Sequence, residues 1–433
     1  WVVNFIDREN LAIEQKMRRV ETLIDIDNYL DYYAAQIYFI NTDWPYGNID
    51  FWRTRTPFTP DAPPGRDGRW RWLLYDVDLA FGLINQADFD MMNHVTKRFL
   101  LGDQEWPNLI FRNLLENDSF KRNFINRVAD HLNSSFKPQR VTAIMDSLQA
   151  LIEPEMAEHI HRWSRPVNMG QWRFFAESMR RHARARPQKL RENIRSHFSL
   201  GRPKEITINV EQPDRGSVRV NTLLLDGGTP GVTEQPYPWS GIYFSGLPIR
   251  LEAKPELGSA FSHWLVNGRK ITGHQLTIDP DSVETATAHF SEFSLADVAP
   301  FAIRESFYLF TEWDEDRPVS DYPPSAAFVT MDESHPTIES AVAGLFRGSY
   351  EEDGETPVIG RDEEGVSFQN QPGSNAAGGL IVALDTRDSE RVEVVWSAGT
   401  EQEGAKEYAI RLQYRTDEEM PFHDLRDQNG GVV

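Results

Sequence analysis

Apolar residues recur with helical spacing through most of the first 200 residues. Side chains three and four positions apart lie on one face of an α-helix, so such a stretch predicts a helix that buries that face. The stretches with this spacing are Leu30, Tyr33, Ala34 and Ile37; Phe120, Phe124, Val128 and Leu132; and, after Pro138, Val141, Met145, Leu148 and Ile152. Asp27 is a candidate N-cap for the first of these helices. The pattern predicts an α-rich unit over residues 1–200.

The hydrophobic period changes from about 3.6 to 2 after the Gly201-Arg202-Pro203 segment. Apolar residues then alternate with polar ones, and turn-forming dipeptides separate the alternating stretches. This predicts a small β module over residues 201–296 and a β-sandwich over residues 297–433, which we expect to be incomplete. The sandwich strands are expected at residues 307–310, 379–384, 392–396 and 408–414. The predicted fold class is multidomain α+β: an α-rich lobe followed by two all-β, sandwich-like domains.

Composition narrows the functional classes. The 433 residues carry a formal net charge of −21, which disfavours a protein whose main task is binding nucleic acid. The absence of cysteine excludes disulfides, thiolate metal sites and a cysteine nucleophile. No run of about 18 apolar residues is present, so we expect no transmembrane segment.

The first candidate chemistry lies directly after the first predicted helix. Asp43 and Asn48 stand in the spacing D-x-x-x-x-N. In protein kinases this spacing lets an aspartate orient the attacking hydroxyl and take its proton, while the asparagine holds a metal ion on the phosphates. Alone, this spacing occurs commonly in loops, where capping explains it.

A second candidate segment begins with the apolar stretch Trp72–Tyr75, which we expect to be a buried strand. Asp76 and Asp78 come directly after this stretch, and Phe81-Gly82 follows them. Magnesium prefers hard oxygen ligands and leaves room for substrate phosphates, so one or two carboxylates and an asparagine suffice to hold it. An Asp-x-Asp pair after a strand also occurs in metal-dependent glycosyltransferases, an alternative that leaves Asp43 and Asn48 unexplained.

Taken together, the two segments carry a specific resemblance. The first reads IYFINTDWP over residues 37–45 with Asn48, and the second reads WRWLLYDVD over residues 70–78 with Phe81-Gly82. This ordered pair resembles the spore-coat-protein-H (CotH) family of atypical, secreted bacterial protein kinases. The stretch to about residue 200 is similar to the C-terminal lobe of that family.

The resemblance implies ATP-dependent phosphoryl transfer to a protein hydroxyl, with ATP and Mg²⁺ or Mn²⁺ as cofactors. It implies Asp43 as the catalytic aspartate, Asn48 and Asp76 as metal and cofactor ligands, and Asp78 as a further metal ligand or as a residue that supports the ligands. It also implies a secreted or cell-surface location. The sequence departs from the pattern at Asn41-Thr42, where ordinary kinases have His-Arg, and at Tyr75, where the family often has Pro-Trp.

The segment before the first motif differs from a kinase N-terminal lobe. Only about two dozen residues precede Asp27, and Lys16 lies in a stretch with a helical pattern, so we do not expect it to bind phosphate. We expect this fragment, without an N-terminal lobe, to have little or no kinase activity. The alternative from another class is a cell-surface scaffold in which a degenerate kinase lobe supports adhesion modules.

Two other features have open interpretations at this stage. A run of arginines over residues 180–191 predicts a solvated helix face or a surface for an acidic protein substrate. Aromatic residues of the first β module are expected in its core, with carbohydrate stacking as the alternative. The residues concerned are Arg180, Arg181, Arg184, Arg186 and Arg191 for the helix, and Tyr237, Trp239, Tyr243, Phe244, Phe261 and Trp264 for the β module.

Overall fold

The computed structural model describes residues 2–59, 62–97, 106–256, 259–292 and 298–303, together with shorter stretches in the last third of the chain. Those stretches are residues 308–309, 313, 323, 325–332, 345–346, 358–360, 365–368, 376–387, 389, 392–395, 397, 399, 410–416, 422–426 and 430–432. The fold is mixed α+β, as predicted. The sandwich architecture and the division into three domains stay predictions.

Helices dominate the first 200 residues. They are α1 Val2–Arg8, α2 Glu14–Glu21, α3 Ile26–Phe39, α4 Met91–Thr96, α5 Trp106–Leu114, α6 Asp118–Leu132, α7 Pro138–Ile152, a 3₁₀ turn Glu153–Glu155, α8 Met156–Trp163 and α9 Met169–His197. One antiparallel hairpin, β1 Asp50–Trp52 with β2 Arg71–Leu73, lies among them and pairs Phe51 with Trp72. No described helix is both long enough and apolar enough to cross a membrane.

Helix α3 lies at the centre of the hydrophobic core. The predicted apolar face of Leu30, Tyr33, Ala34 and Ile37 is buried, and so is that of α6. Tyr33 stacks on Phe111 of α5 with ring centroids 4.1 Å apart. Both helices are therefore confirmed as elements that bury one apolar face.

The N-cap of α3 differs from the prediction. The side chain of Asp25, and not that of Asp27, accepts the hydrogen bond from the backbone N–H of Asn28, because the helix begins at Ile26. Asp27 lies in the first turn, where it forms an ion pair with Arg127 of α6. It therefore ties α3 to α6.

Helix α7 forms as predicted, but its apolar positions are not buried. Leu148 and Ile152 are about half exposed, and Leu151 is 74% exposed. Asp146 of α7 pairs with Arg180 of α9. The helical spacing of apolar residues thus predicts helix α7, but it does not predict which part of the protein packs against the helix.

The strands that follow are short. They are β3 Pro203–Val210, β4 Gly216–Val220, β5 Leu223–Leu224, β6 Trp239–Phe244, β7 Ile249–Pro255, β8 Ser259–Val266, β9 Arg269–Ile271, β10 Gln275–Ile278, β11 Thr285–Glu292, β12 Phe301–Ala302, β13 Ala326–Asp332, β14 Leu345–Phe346, β15 Val358–Gly360, β16 Val366–Phe368, β17 Ala376–Val382, β18 Leu384–Asp385, β19 Gln413–Tyr414 and β20 His423–Asp424. The change from helix to strand falls between His197 and Pro203.

The chain forms two compact units. The first comprises Trp1–Asn209, Val218–Glu252 and Leu276–Ala286, and the second comprises Val210–Ser217, Ala253–Gln275 and Thr287–Val433. The first unit thus combines the helices with several strands. Within it, β3 pairs with β6 in antiparallel register, with Ile208 opposite Trp239.

A buried carboxylate joins helices and strands inside the first unit. Asp130 of α6 accepts hydrogen bonds from Asn221 Nδ2 at 3.1 Å, Thr222 Oγ1 at 2.9 Å and the Tyr243 hydroxyl at 2.8 Å. Phe244 also packs into the same core cluster as α3 and α6. The helices and these strands therefore share one core.

In the second unit, antiparallel pairs form between β8 and β9, between β13 and β17, and between β15 and β16. The strand predicted at residues 379–384 corresponds to β17. Val392–Val395, by contrast, lie outside the strands and are largely exposed, with Val395 at 86%, so a strand there is wrong. The strand predicted at residues 307–310 is wrong for its described residues 308–309, and of the strand predicted at residues 408–414 only Gln413–Tyr414 forms, as β19. Residues 307, 310, 396, 408 and 409 lie outside the described residues.

Most aromatic residues of the predicted first β module lie in the interior, as expected, whereas Tyr237 and Phe261 are half-buried. Trp239, Tyr243, Phe244 and Trp264 are all at least 96% buried. The hydroxyl of Tyr237 accepts from the Val218 backbone N–H at 2.7 Å and donates to the Leu225 carbonyl at 2.9 Å. These contacts assign the aromatic residues to packing and not to carbohydrate stacking.

Candidate active site

The loop that carries Asp43 begins where α3 ends. Ile40 takes the left-handed conformation with φ 58° and redirects the chain after Phe39. Trp44 is fully buried and packs edge-on against Tyr33, with ring centroids 4.9 Å apart. The Trp44 carbonyl lies 3.0 Å from Nε2 of His94 on α4. The loop is thereby anchored on both sides of an exposed Asp43.

Asp43 and Asn48 are joined directly. Asn48 Nδ2 donates a hydrogen bond to Asp43 Oδ2 at 2.8 Å, and the Gly47 backbone N–H donates to the Asp43 carbonyl at 3.1 Å. Asn48 has φ 56°, a left-handed conformation that asparagine tolerates better than most residues. The D-x-x-x-x-N spacing therefore closes a turn that places both side chains together.

The second segment is held against α3 by polar side chains. Asn28 accepts from the Trp72 N–H at 2.7 Å and donates to the Trp72 carbonyl at 3.3 Å. Arg71 is buried and pairs with Asp25, the N-cap of α3, at 2.8 Å and with Asp67 at 2.7 Å. Hydrogen bonds from Arg71 hold the pKa of Asp67 far below its usual value. The start of β2 is thus fixed to the first turn of α3.

The end of this segment does not match the predicted buried strand. Strand β2 ends at Leu73, and Leu73, Leu74 and Tyr75 are each more than 40% exposed. The hairpin has only two strands, so no further strand covers this edge in the described part of the unit. Asp76 and Asp78 follow on the exposed side.

Asn41 links the two segments. Its Nδ2 donates to the Asp76 backbone carbonyl at 3.2 Å and to Gln36 Oε1 of α3 at 3.0 Å, and the side chain is fully buried. Asp76 itself has φ 49°. The residue two positions before Asp43 therefore sets the position of Asp76.

The carboxylates of the two segments interact electrostatically. The pKa of Asp76 is raised, first by a side-chain hydrogen bond with Asp78, then by partial desolvation and by repulsion from the charges of Asp78 and Asp43. Asp43, Asp76 and Asp78 thus lie close enough for their charges to interact, and Asn48 is hydrogen-bonded to Asp43. Within the described ranges, no group of three or more Asp, Glu or His side chains is placed so that it could hold a metal ion.

The donor set fits a magnesium ion that retains water and substrate ligands. Two carboxylates and an amide oxygen are the hard ligands that Mg²⁺ takes, and its sites commonly use one or two carboxylates with substrate phosphate. Because Asn48 donates to Asp43 through nitrogen, the polar atom left on its amide is oxygen. A cation would also relieve the repulsion that raises the pKa of Asp76.

The segment after Asp78 forms hydrogen bonds with the end of α3 and with the loop that carries Asp43. The Phe81 N–H donates to the Phe39 carbonyl at 3.0 Å, and Asn85 Nδ2 donates to Thr42 Oγ1 at 2.9 Å. Gly82 has φ 85°, and a Cβ atom there would come 3.1 Å from Nδ1 of His182. Glycine at this position therefore meets both a backbone and a packing requirement.

Two residues that hold these segments were not identified from the sequence. Asn41 appeared only as a departure from the kinase pattern, and Arg186 was placed in an exposed basic run. Arg186 is fully buried under the end of α3, so its assignment to an exposed face is wrong. Its neighbour His182 is also buried, which together with the charge of Arg186 lowers the pKa of His182 to about 4 and keeps the ring neutral. Lys16 lies in helix α2, as expected, and pairs with Glu9 at 2.9 Å.

Comparison with known families agrees with the resemblance inferred from the sequence. Residues 1–190 match the family model described as CotH kinase protein, which confirms the resemblance inferred from the two motifs. No curated protein and no solved structure matches the chain. The first 190 residues are therefore similar to the CotH kinase family.

Proposed function

We propose that the CotH kinase segment transfers phosphate from ATP to a hydroxyl group of a protein. The observation that carries this proposal is the hydrogen bond between Asp43 and Asn48 beside the paired carboxyl groups of Asp76 and Asp78. Phosphoryl transfer depends mainly on positioning and on neutralising charge, and these four residues provide the groups that both tasks need. The family match supports the reaction class.

Asp43 has the position of the residue that orients the attacking hydroxyl. Its side chain is exposed, so a large acceptor such as a protein can reach it, while buried Trp44 restrains the backbone next to it. The carboxylate accepts the Asn48 amide at Oδ2 and retains lone pairs for the hydroxyl proton. Asp43 would therefore align the hydroxyl and take its proton during transfer.

Asn48, Asp76 and Asp78 would hold Mg²⁺ or Mn²⁺. When bound, the cation neutralises the phosphate oxygens and orients the transferred group. Asn41 fixes the backbone of Asp76, and Asp78 lies close enough for its charge to act on Asp76. Asn41 would thus hold Asp76 in place before substrate binds.

We further propose that the protein acts outside the cytoplasm, as a secreted or surface-attached enzyme with a protein substrate. The support is the resemblance to a family of secreted kinases. Fractionation of the producing cells, with immunodetection in medium, envelope and cytoplasm, tests this part separately. Detection in the cytoplasm alone would contradict it.

The reaction itself is tested by incubating the full gene product with γ-labelled ATP, Mg²⁺ and a mixture of extracellular proteins from the same cells. Labelled serine, threonine or tyrosine in an acceptor, identified by mass spectrometry, is expected for the wild type. Asp43→Asn and Asp76→Asn should abolish the label. Asp50→Asn is the matched control, because Asp50 is an exposed carboxylate on β1 close to the site in sequence and outside the proposed set.

Wild-type labelling in both site variants would place the active centre elsewhere. A wild type that binds neither ATP nor a divalent ion and labels nothing would favour the non-catalytic scaffold. Transfer of a sugar from a nucleotide sugar in place of phosphate would favour the glycosyltransferase alternative.

A further inference from the structure

Arg186 is a fully buried cation in the middle of helix α9. The guanidinium group donates to the backbone carbonyls of Ile37 at 2.8 Å through Nη2 and of Tyr38 at 3.2 Å through Nε. Both carbonyls belong to the last turn of α3, directly before the loop that carries Asp43. Arg186 thus contacts the origin of the first site segment.

The same side chain also contacts the continuation of the second site segment. Nη1 donates to the carbonyls of Ala87 at 2.9 Å and Phe89 at 3.2 Å, and it lies 3.3 Å from Asn193 Oδ1. Ala87 follows two residues after Asn85, whose amide binds Thr42 next to Asp43. One guanidinium group therefore bridges the two chain segments that carry the candidate site.

The chemistry of this position favours arginine specifically. The last carbonyls of a helix lack intrahelical partners and carry the negative end of the helix dipole, so a cation with several donors suits them. Arginine presents five N–H donors in a fixed planar arrangement, whereas lysine offers three donors at one point. A lysine ammonium cannot reach the carbonyls on both sides at once.

Charge at this position is retained in spite of burial. Burial lowers the pKa of Arg186 to about 9, and the attraction of Tyr38, Asp90 and Asp88 acts in the opposite direction. The group is therefore protonated at neutral pH. Its positive charge lies behind the loop and faces backbone oxygen atoms of both segments.

We propose that Arg186 is a positioning residue that sets the spacing between the Asp43 loop and the Asp76 segment. It touches none of the four candidate site side chains and acts through the backbone at the base of each segment. The effects on catalysis and on metal binding rest on the proposed function, whereas the effect on loop order does not.

The test compares Arg186→Met and Arg186→Lys with Arg191→Met in the full chain. Arg191 is a matched control: it lies on the same helix, burial lowers its pKa to about 10, and its Nη2 donates to Asn133 Oδ1 at 3.0 Å, away from the site. The measurements are backbone hydrogen exchange over residues 41–48 and 76–85 and the affinity for Mn²⁺ alone. Circular dichroism verifies that each variant is folded.

We expect both Arg186 variants to exchange faster over these two ranges and to bind Mn²⁺ about tenfold more weakly, the scale seen when residues that orient metal ligands are lost. Arg191→Met should leave both properties unchanged. In Arg186→Ala, guanidinium ion at millimolar concentration should restore Mn²⁺ affinity, and tetramethylammonium, which has no N–H donors, should not.

Equal changes in the Arg186 and Arg191 variants would overturn the proposal, since they would indicate a general loss of stability. Full Mn²⁺ affinity and loop protection in Arg186→Lys would also overturn it. If Arg186→Met does not fold, Arg186→Lys decides the question. Altered loop protection in a protein whose wild type transfers no phosphate would refute the proposed function and leave the positioning role intact.

Discussion

The side-chain amide of Asn41 donates a hydrogen bond to the backbone carbonyl of Asp76, 35 residues along the chain, at 3.2 Å. The same amide nitrogen binds Gln36 of α3 at 3.0 Å. This contact ties the loop with Asp43 and Asn48 to the segment with Asp76 and Asp78. The candidate site thus depends on a buried asparagine that takes no direct part in the proposed chemistry.

Replacement of Asn41 by leucine should weaken metal binding as well as lower the stability of the fold. The change removes two hydrogen bonds of a buried amide and leaves the Asp76 carbonyl without this donor, which costs about 1–3 kcal/mol of unfolding free energy. Chemical denaturation gives this free energy, and titration with Mn²⁺ gives the affinity. We expect reduced stability together with at least a tenfold loss of affinity.

Asn108→Leu is the control for this experiment. Asn108 is a buried asparagine whose Nδ2 donates to the Lys97 carbonyl at 2.7 Å, outside the site. The Asn108→Leu variant should lose about as much stability as Asn41→Leu and should keep the Mn²⁺ affinity of the wild type. Normal affinity in Asn41→Leu would show that Asn41 does not position Asp76.

The titration of Asp76 provides a second test. Because the Asp78 hydrogen bond and the nearby charges raise its pKa, Asp76 should titrate above 3.8, and Asp78→Asn should shift the pKa of Asp76 downward. A raised pKa in the folded state means that this group favours folding below pH 3.8, and that this contribution is lost as the pH rises through the folded-state pKa. Divalent binding should weaken as the pH falls through the same range, since protons compete with the cation.

Carbon-detected NMR of the aspartate carboxyl groups measures these values. Asp118 serves as an internal reference, because its hydrogen bond with Lys121 lowers its pKa. An Asp76 pKa at or below 3.8 in the wild type, or one that Asp78→Asn leaves unchanged, would show that the carboxyl groups of Asp76 and Asp78 do not interact.

Asp130 is expected to hold the helices and the first strands together as one cooperative unit. Asp130→Ala would leave the donors of Asn221, Thr222 and Tyr243 buried without this acceptor, at a cost of about 3 kcal/mol or more. Burial raises the pKa of Asp130, so its ionisation opposes folding as the pH increases above 3.8 toward the raised value. The lost hydrogen bonds should make the variant less stable than the wild type, and the variant should lack this component of the pH dependence.

Thermal unfolding followed at 222 nm, between pH 4 and 8, measures both effects. Asp146→Asn is the control, because Asp146 is exposed and its ion pair with Arg180 lies on the surface, where such pairs contribute about 0–1 kcal/mol. Separate unfolding of helices and strands in the wild type would contradict the shared core.

The sequence predicted those elements whose apolar residues are both periodic and buried. Helices α3 and α6 follow the pattern because their apolar faces meet in one core. The same spacing in α7 predicted the helix but not the exposure of Leu148 and Leu151, since periodicity does not report what lies opposite a face. The same holds for strands: apolar residues at the end of β2 and at Val392–Val395 are exposed, although the sequence pattern predicted buried strands there.

The candidate site was predictable where function requires particular side chains at fixed spacing, as for Asp43 and Asn48. Its supporting residues were not, because a buried polar residue looks like any other polar residue in a sequence. A signal for Arg186 does exist in α9. Ala183, Leu190 and Ile194 mark its buried face, and Arg186 falls on that face at helical spacing, unlike Arg184.

The most direct test of the proposed reaction separates binding from transfer in two single variants of the full gene product. Affinity for Mg²⁺-ATP is measured by calorimetry, and the turnover number by phosphate transfer to an identified acceptor protein. Asp43→Asn should retain affinity and lose about 10²–10⁴-fold in kcat, the range for a residue that accepts a proton in the transition state. Asp76→Asn should lose affinity as well, because it removes a proposed metal ligand. Wild-type kcat in Asp43→Asn, or unchanged Mg²⁺-ATP affinity in Asp76→Asn, would contradict the account.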